Sequence, residues 1–222
     1  MTDIAANLED VKSRIAKRAK NWGQDADKVT LVAVSKKQPV EKLQAALDAG
    51  HRVFGENRVQ EAKEKWPALC DAYEGVELHL IGPLQTNKAK EAVALFDVIE
   101  TVDRPKLARI LSEEMKKQDR NLPVYIQINI GAEDQKAGIA IEDADDFISQ
   151  CQNEYGLTVK GLMCIPPAGE QPSPFFAILA QIAERNGLEH LSMGMSGDYE
   201  YAVQFGATSV RVGTGIFGAR EG

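Results

Sequence analysis

Cysteine is scarce and spread out. Cys70, Cys151 and Cys164 are far apart and odd in number in a chain of 222 residues, so they offer neither a metal-ligand spacing nor a disulfide framework. A reducing, cytoplasmic compartment is the resulting expectation. Basic charge is not in excess either: a formal net charge of −7 leaves no overall footprint for nucleic acid or an anionic membrane surface. No apolar run reaches the roughly 18 residues that span a bilayer. The first ten residues, Met-Thr-Asp-Ile-Ala-Ala-Asn-Leu-Glu-Asp, are acidic and amphipathic, unlike a signal peptide. Fixed-period repeats, low-complexity tracts and linkers are lacking too. With 44% hydrophobic residues the chain can bury a large core, and a single domain over residues 1–222 is expected.

What is present is a succession of short apolar runs separated by amphipathic segments. Ile4, Leu8, Val11, Ile15 and Ala19 recur at helical spacing and predict a helix from Asp3 to about Trp22, stopped by Gly23. Thr30-Leu-Val-Ala-Val-Ser-Lys-Lys37 follows, with the continuous apolar run of a strand covered on both faces. Further strands are predicted at 51–57, 76–82, 97–102, 123–130, 159–165, 190–196 and 209–213. Helices are predicted between them, at 40–50, 59–73, 87–96, around Leu107 to Met115, 142–154 and 175–186. Pro67 is expected to interrupt or end the main part of its helix, and Thr86 is placed to cap the next one. About eight strands alternating with helices predict an α/β fold, a single (β/α)8 TIM-like barrel with an extra N-terminal helix. An open doubly wound sheet is the competing architecture. The strands continue to the end of the chain without a composition break, which favours the barrel.

In such folds ligands bind at the C-terminal ends of the strands, where Ser35, Lys36 and Lys37 turn polar after the first strand. Lys36 is therefore the candidate Schiff-base amine, its pKa lowered by apolar surroundings and by Lys37 beside it; a solvated lysine pair is the plain alternative. Near the C-terminus, Gly213-Thr-Gly-Ile-Phe-Gly218 fits G-x-G-x-x-G. A dinucleotide fingerprint should follow an early strand and precede an acidic residue by about 20 positions, and this stretch does neither. A phosphate cradle remains, with Gly213 allowing close approach and the Thr214 hydroxyl adding a donor, against a tight turn closing the barrel. Ser196, in Ser192-Met-Gly-Met-Ser-Gly-Asp198, could supply the other half. Arg211 lies within the last strand, and because a barrel has no edge strands it is expected inside, near an aromatic or anionic ligand. Asn57 offers a neutral hydrogen-bonding partner or a helix cap. His79 reads as a satisfied interior histidine, with a general base as the alternative, while His51 and His190 read as structural at the opposite end. Lys136 is the second-best amine, and Gln85, Asn87 and Lys88 lie on the ligand face. An amine, a phosphate cradle and a buried cation in one site match the requirements of pyridoxal 5′-phosphate (PLP).

Seven stretches carry a resemblance to a known family: Ala-Val-Ser-Lys36, Phe-Gly-Glu-Asn57, His79-Leu-Ile-Gly-Pro-Leu-Gln-Thr-Asn-Lys88, Lys136-Ala-Gly, Gly161-Leu-Met, Ser192-Met-Gly-Met-Ser196 and Arg211-Val-Gly-Thr-Gly-Ile-Phe-Gly-Ala-Arg220. In this order they resemble the pyridoxal-phosphate homeostasis protein family, which is related to the barrel domain of alanine racemase. The resemblance implies a fold type III PLP-binding barrel, a Schiff base on Lys36, phosphate held by Ser196, Gly213 and Thr214, Arg211 at the pyridine nitrogen and Asn57 beside the cofactor. It further implies a cytoplasmic, monomeric cofactor carrier, without catalytic activity of its own, that supplies PLP to apo PLP-dependent enzymes. A small PLP-dependent racemase-like enzyme is the alternative, disfavoured because the resembling racemases take a second acid/base tyrosine from an added domain. A Schiff-base aldolase on a phosphorylated sugar is a third reading. Arg58 stands where the family commonly has an aromatic residue and Gly197 where an acidic one is frequent, and the loop from Pro166 to Pro174 is short.

Overall fold

The computed structural model describes residues 2–133 and 136–219; Met1, Asp134, Gln135 and residues 220–222, including the Arg220 that ends the last motif, lie outside the described residues. The amphipathic N-terminal segment forms α1 (Ile4–Asn21), its first turn capped by the Asp3 side chain and its stripe Ile4, Leu8, Val11, Ile15 and Ala19 buried. Eight strands follow: β1 (Thr30–Val34), β2 (Val53–Glu56), β3 (Glu77–Leu80), β4 (Val98–Val102), β5 (Val124–Ile128), β6 (Val159–Cys164), β7 (His190–Met195) and β8 (Ser209–Val212). They close in sequence order into a parallel barrel, β8 returning to β1 with Val32 opposite Arg211. The helices between and after them are α2 (Val40–Asp48), α3 (Val59–Ala72), α4 (Ala89–Leu95), α5 (Pro105–Lys117), α6 (Ala144–Asn153), α7 (Ser173–Arg185), α8 (Tyr199–Gln204) and the single turn α9 (Thr214–Phe217).

Period-two alternation sorts each strand between two environments. Leu31, Ala33, Phe54, Leu78, Ile99, Ile126, Leu162 and Val210 belong to the apolar layer between barrel and helices, whereas Val98, Tyr125 and Met163 form a small separate cluster. The other face is largely polar. Ser192 of β7 bonds to Glu100 of β4, two strands that are not neighbours in the sheet, so the bond crosses the barrel interior.

Three local expectations are corrected. Pro67 neither ends nor splits α3, which runs unbroken through it. Pro67 and Lys63, whose carbonyl loses its i+4 donor, are both exposed, so water can satisfy that carbonyl while Trp66 and Leu69 anchor the buried face. Thr86 caps nothing: it opens a 3₁₀ turn, Thr86–Lys88, and α4 starts at Ala89 with no side-chain cap. Pro174 is not loop but lies in the first turn of α7, where its missing N–H costs no helical bond.

Candidate functional site

At the C-terminal end of β1, Ser35 is buried, Lys36 half-buried and Lys37 exposed. The turn is clamped from α3 and β2. Ser35 Oγ donates to Glu56 Oε1 at 2.7 Å, Lys65 Nζ donates to the Ser35 carbonyl at 3.0 Å, and the Lys37 backbone N–H donates to Glu61. Lys65 lies 2.8 Å from both Glu56 Oε1 and Glu61 Oε1. Lys37, at φ +57°, shapes the turn through its backbone while its side chain is exposed.

Asn57 follows β2. It does not cap α3, whose N-cap position is Arg58 without a side-chain bond, and its buried Oδ1 has no hydrogen-bond partner among the described residues. Gly82, after β3, holds Asn57 in place. A Cβ on Gly82 would fall 2.2 Å from the Asn57 carbonyl oxygen and 2.7 Å from its Cα, both backbone atoms. Gly82→Ala is therefore expected to cost about 1–3 kcal/mol, read from the urea midpoint, because no flexible side chain can give way. Asn57, Arg58, Gln85 and Lys88 share a groove of about 550 Å³, whereas Asn87 is exposed on the 3₁₀ turn.

The ends of β7 and β8 meet at Ser196. Its Oγ accepts from the backbone N–H of Gly213 at 3.2 Å and of Gly215 at 3.5 Å. A Cβ on Gly213 would press on Val34 Cβ at 3.3 Å, so glycine lets the end of β8 lie against β1, which carries Lys36. Thr214 opens α9 and is exposed. From behind, Asn7 Nδ2 of α1 donates to the Ile216 carbonyl at 2.8 Å and Lys42 Nζ of α2 to the Phe217 carbonyl at 3.0 Å. The exposed Gly197 lies in a cavity of about 430 Å³ with Ser196, Gly215, Arg14 and Arg18.

Arg211 is inside, 3% exposed, donating to Ser192 Oγ at 2.6 Å and to the Cys164 carbonyl at 2.8 Å. His79 is a satisfied interior histidine, its Nδ1 2.6 Å from Glu100 and its Nε2 2.7 Å from Glu77. Burial pulls its pKa down, but the bonds and charges of Glu100 and Glu77 outweigh this and raise it to about 9. The buried Glu100 carboxyl is conversely held below its ordinary range: burial disfavours its charge, and His79, Arg211 and Ser192 more than compensate. Burial pushes the Cys164 thiol up to about 12, an inert form beside Arg211. Lys136, after β5, has its Nζ 3.2 Å from the Pro166 carbonyl and 2.8 Å from Glu133. Among the described residues no cluster of metal-binding side chains occurs, no helix is long and apolar enough to cross a membrane, and the three cysteines are free thiols.

Sequence reasoning passed over Gly215, Glu56, Glu100 and Ser192. Gly215 had a signal as the second glycine of the G-x-G pair; the others had none beyond a polar residue inside a strand.

The family model described as "Alanine racemase, N-terminal domain" matches residues 4–221. The "Pyridoxal phosphate homeostasis protein" of Escherichia coli (strain K12) is 38% identical over 230 residues, spanning 100% of this chain and 98% of that protein. The structure of PipY from Synechococcus elongatus PCC7942 with PLP bound is 37% identical with a TM-score of 0.80, over 92% of this chain and 100% of that one. Alanine racemase from Bartonella henselae with covalently bound pyridoxal phosphate is 16% identical at a TM-score of 0.72, over 98% of this chain and 59% of that one, and shares the fold.

Proposed function

The chain belongs to the pyridoxal phosphate homeostasis protein family, and from that premise we propose that it is a cytoplasmic, monomeric single-domain carrier that holds PLP on Lys36 and supplies it to apo PLP-dependent enzymes. The observation that carries the reading is the gathering, at one end of one barrel, of Lys36 after β1, the buried Arg211 of β8 and two backbone N–H groups converging on Ser196. The residues fit the group. Asn57 Oδ1 is a buried acceptor without a hydrogen-bond partner among the described residues, and a Cβ on Gly215 would come 2.9 Å from a Val212 methyl, so glycine keeps this turn close beneath its N–H. When bound, the cofactor supplies an aldehyde, on which the Lys36 amine forms a Schiff base with release of water. Ser196, Gly213, Thr214 and Gly215 hold the phosphate, Arg211 meets the ring nitrogen, and Asn57 hydrogen-bonds beside it.

Holding rather than turnover is supported by Arg211. An always-charged guanidinium facing the ring nitrogen keeps that nitrogen unprotonated and weakens the electron withdrawal that catalysis needs. The test is to titrate the purified protein with PLP, record the visible spectrum, reduce with borohydride and map the modified residue by mass spectrometry. A yellow band that becomes fixed on Lys36 is expected; no band, or label scattered over surface lysines, would overturn the assignment. Exchange of the α-hydrogen of alanine in deuterated water above the rate with free PLP would overturn the non-catalytic part and favour a racemase-like enzyme.

A further inference from the structure

The barrel interior holds ionisable groups that cofactor binding does not use directly. Glu100 of β4 is fully buried. Its Oε1 meets His79 Nδ1 at 2.6 Å, and its Oε2 accepts from Ser192 Oγ at 2.5 Å and stands 3.9 Å from Arg211 Nη1. Ser192 Oγ in turn accepts from Arg211 Nη1 at 2.6 Å. Because that hydroxyl gives its one proton to Glu100, its lone pairs are left for Arg211, and the direction of the whole chain of bonds is set. Arg211 Nη2 is tied to the Cys164 carbonyl of β6. Two nitrogens of one guanidinium are thus fixed to two strands, and its charge is balanced from a third.

We propose that Glu100 and His79 are positioning residues for Arg211, holding its guanidinium in one orientation so that the cofactor's ring nitrogen meets a fixed donor. The inference rests on the reading of Arg211 given above. The physical need is plain: an arginine side chain has many rotamers, and a donor oriented before the ligand arrives loses no ordering entropy on binding. His79 completes the device from below, lying between Glu100 and the half-exposed Glu77 and donating a proton to each. Three interior charges and the half-exposed Glu77 then balance one another, with Tyr125 of β5 and Lys160 and Cys164 of β6 further ionisable groups that act on this column.

The first measurement uses protein without cofactor, labelled with ¹⁵N-arginine. Arg211, assigned with Arg211→Met, should show separate Nη signals from hindered rotation, which merge in Glu100→Gln and in Ser192→Ala. The second is PLP affinity and the pH titration of the visible band. Glu100→Gln should bind about tenfold more weakly and shift the titration in the same direction as Arg211→Met, while the double variant is no worse than Arg211→Met alone. Unchanged Arg211 signals in both variants, or fully additive losses, would overturn the positioning role. Should Glu100→Gln fail to fold, Ser192→Ala, which removes only a hydroxyl, decides the matter. If Arg211→Met leaves affinity and band untouched, the placement of Arg211 at the ring nitrogen fails instead, and the arginine signals still report on the interior column.

Discussion

Folding stability is expected to peak near pH 6.5 and to fall by about 3 kcal/mol on each side, toward pH 9 through His79 and toward pH 4 through His51. The folded protein raises His79 from 6.5 to about 9, because Glu100 and Glu77 outweigh the effect of burial. Between those values the folded state binds more proton than the unfolded chain. The stabilisation is therefore complete below pH 6.5 and is lost as pH rises through 9. His51 behaves oppositely. Burial lowers it to about 4, only partly opposed by its bond to the Val53 carbonyl, so between pH 6.5 and 4 the unfolded chain binds more proton and stability falls with pH. Below about pH 4.5 the carboxyls of Glu61, Glu77 and Glu100, all held below that ordinary value, steepen the acid limb. Urea unfolding at pH 4, 6.5 and 9 reads both limbs. His79→Gln should flatten the alkaline limb and, by removing the cation that holds Glu77 and Glu100 down, soften the acid limb below about pH 4.5 as well, whereas His51→Gln should lessen the acid limb alone, whatever each does to the baseline. An alkaline limb that survives in His79→Gln would mean that the imidazolium is not the group responsible.

The same residues mark how far the sequence could be read. The barrel was legible because parallel strands covered on both faces appear as short apolar runs, and a closed sheet leaves no edge on which Arg211 could reach solvent. Arg211 is thereby expected inside, and His79 follows from its alternation with Leu78 and Leu80. Glu100 was not singled out, since it is one polar residue between Val98 and Val102 on its face of the strand and the sequence does not say which face meets the helices. Only closure of the sheet turns that face into the interior, and only the partners His79, Ser192 and Arg211 make a charge affordable there. Glu56 was hidden for a different reason. It points away from the barrel interior into α3, and its partners Trp66 and Lys65 lie on a helix whose contact with β2 no local pattern announces. Local propensity misjudged Pro67 and Thr86 because tertiary packing decided one and a 3₁₀ turn displaced the other.

Removing the Glu56 side chain is expected to be strongly destabilising, with Glu56→Ala costing about 3–5 kcal/mol. The carboxylate is fully buried, and one oxygen serves three donors: Ser35 Oγ at 2.7 Å, Lys65 Nζ at 2.8 Å and Trp66 Nε1 at 3.1 Å. Alanine leaves the indole N–H of the buried Trp66 without that acceptor and Lys65, whose side chain is only 10% exposed, with Glu61 and the Ser35 carbonyl alone. An orphaned buried donor costs about 1–3 kcal/mol, and although Lys65 keeps Glu61 as a counter-charge, it loses the fully buried one of its two carboxylate partners. Glu56→Gln keeps an acceptor for Ser35 and Trp66 but loses the charge and places an amide NH2 where the buried Oε2 has no partner among the described residues, so it should cost less than alanine without being neutral. A double-mutant cycle with Lys65→Met isolates the ion pair, and a coupling of about 1 kcal/mol or more is expected for groups in contact. The consequence reaches the site, because Ser35 and the Lys37 N–H are what Glu56 and Glu61 grip, and Lys36 sits between them. Labelling of Lys36 by PLP and borohydride should therefore weaken in Glu56→Ala even under conditions where the variant is fully folded. A loss below about 1 kcal/mol with labelling unchanged would show that the turn holds Lys36 without this clamp.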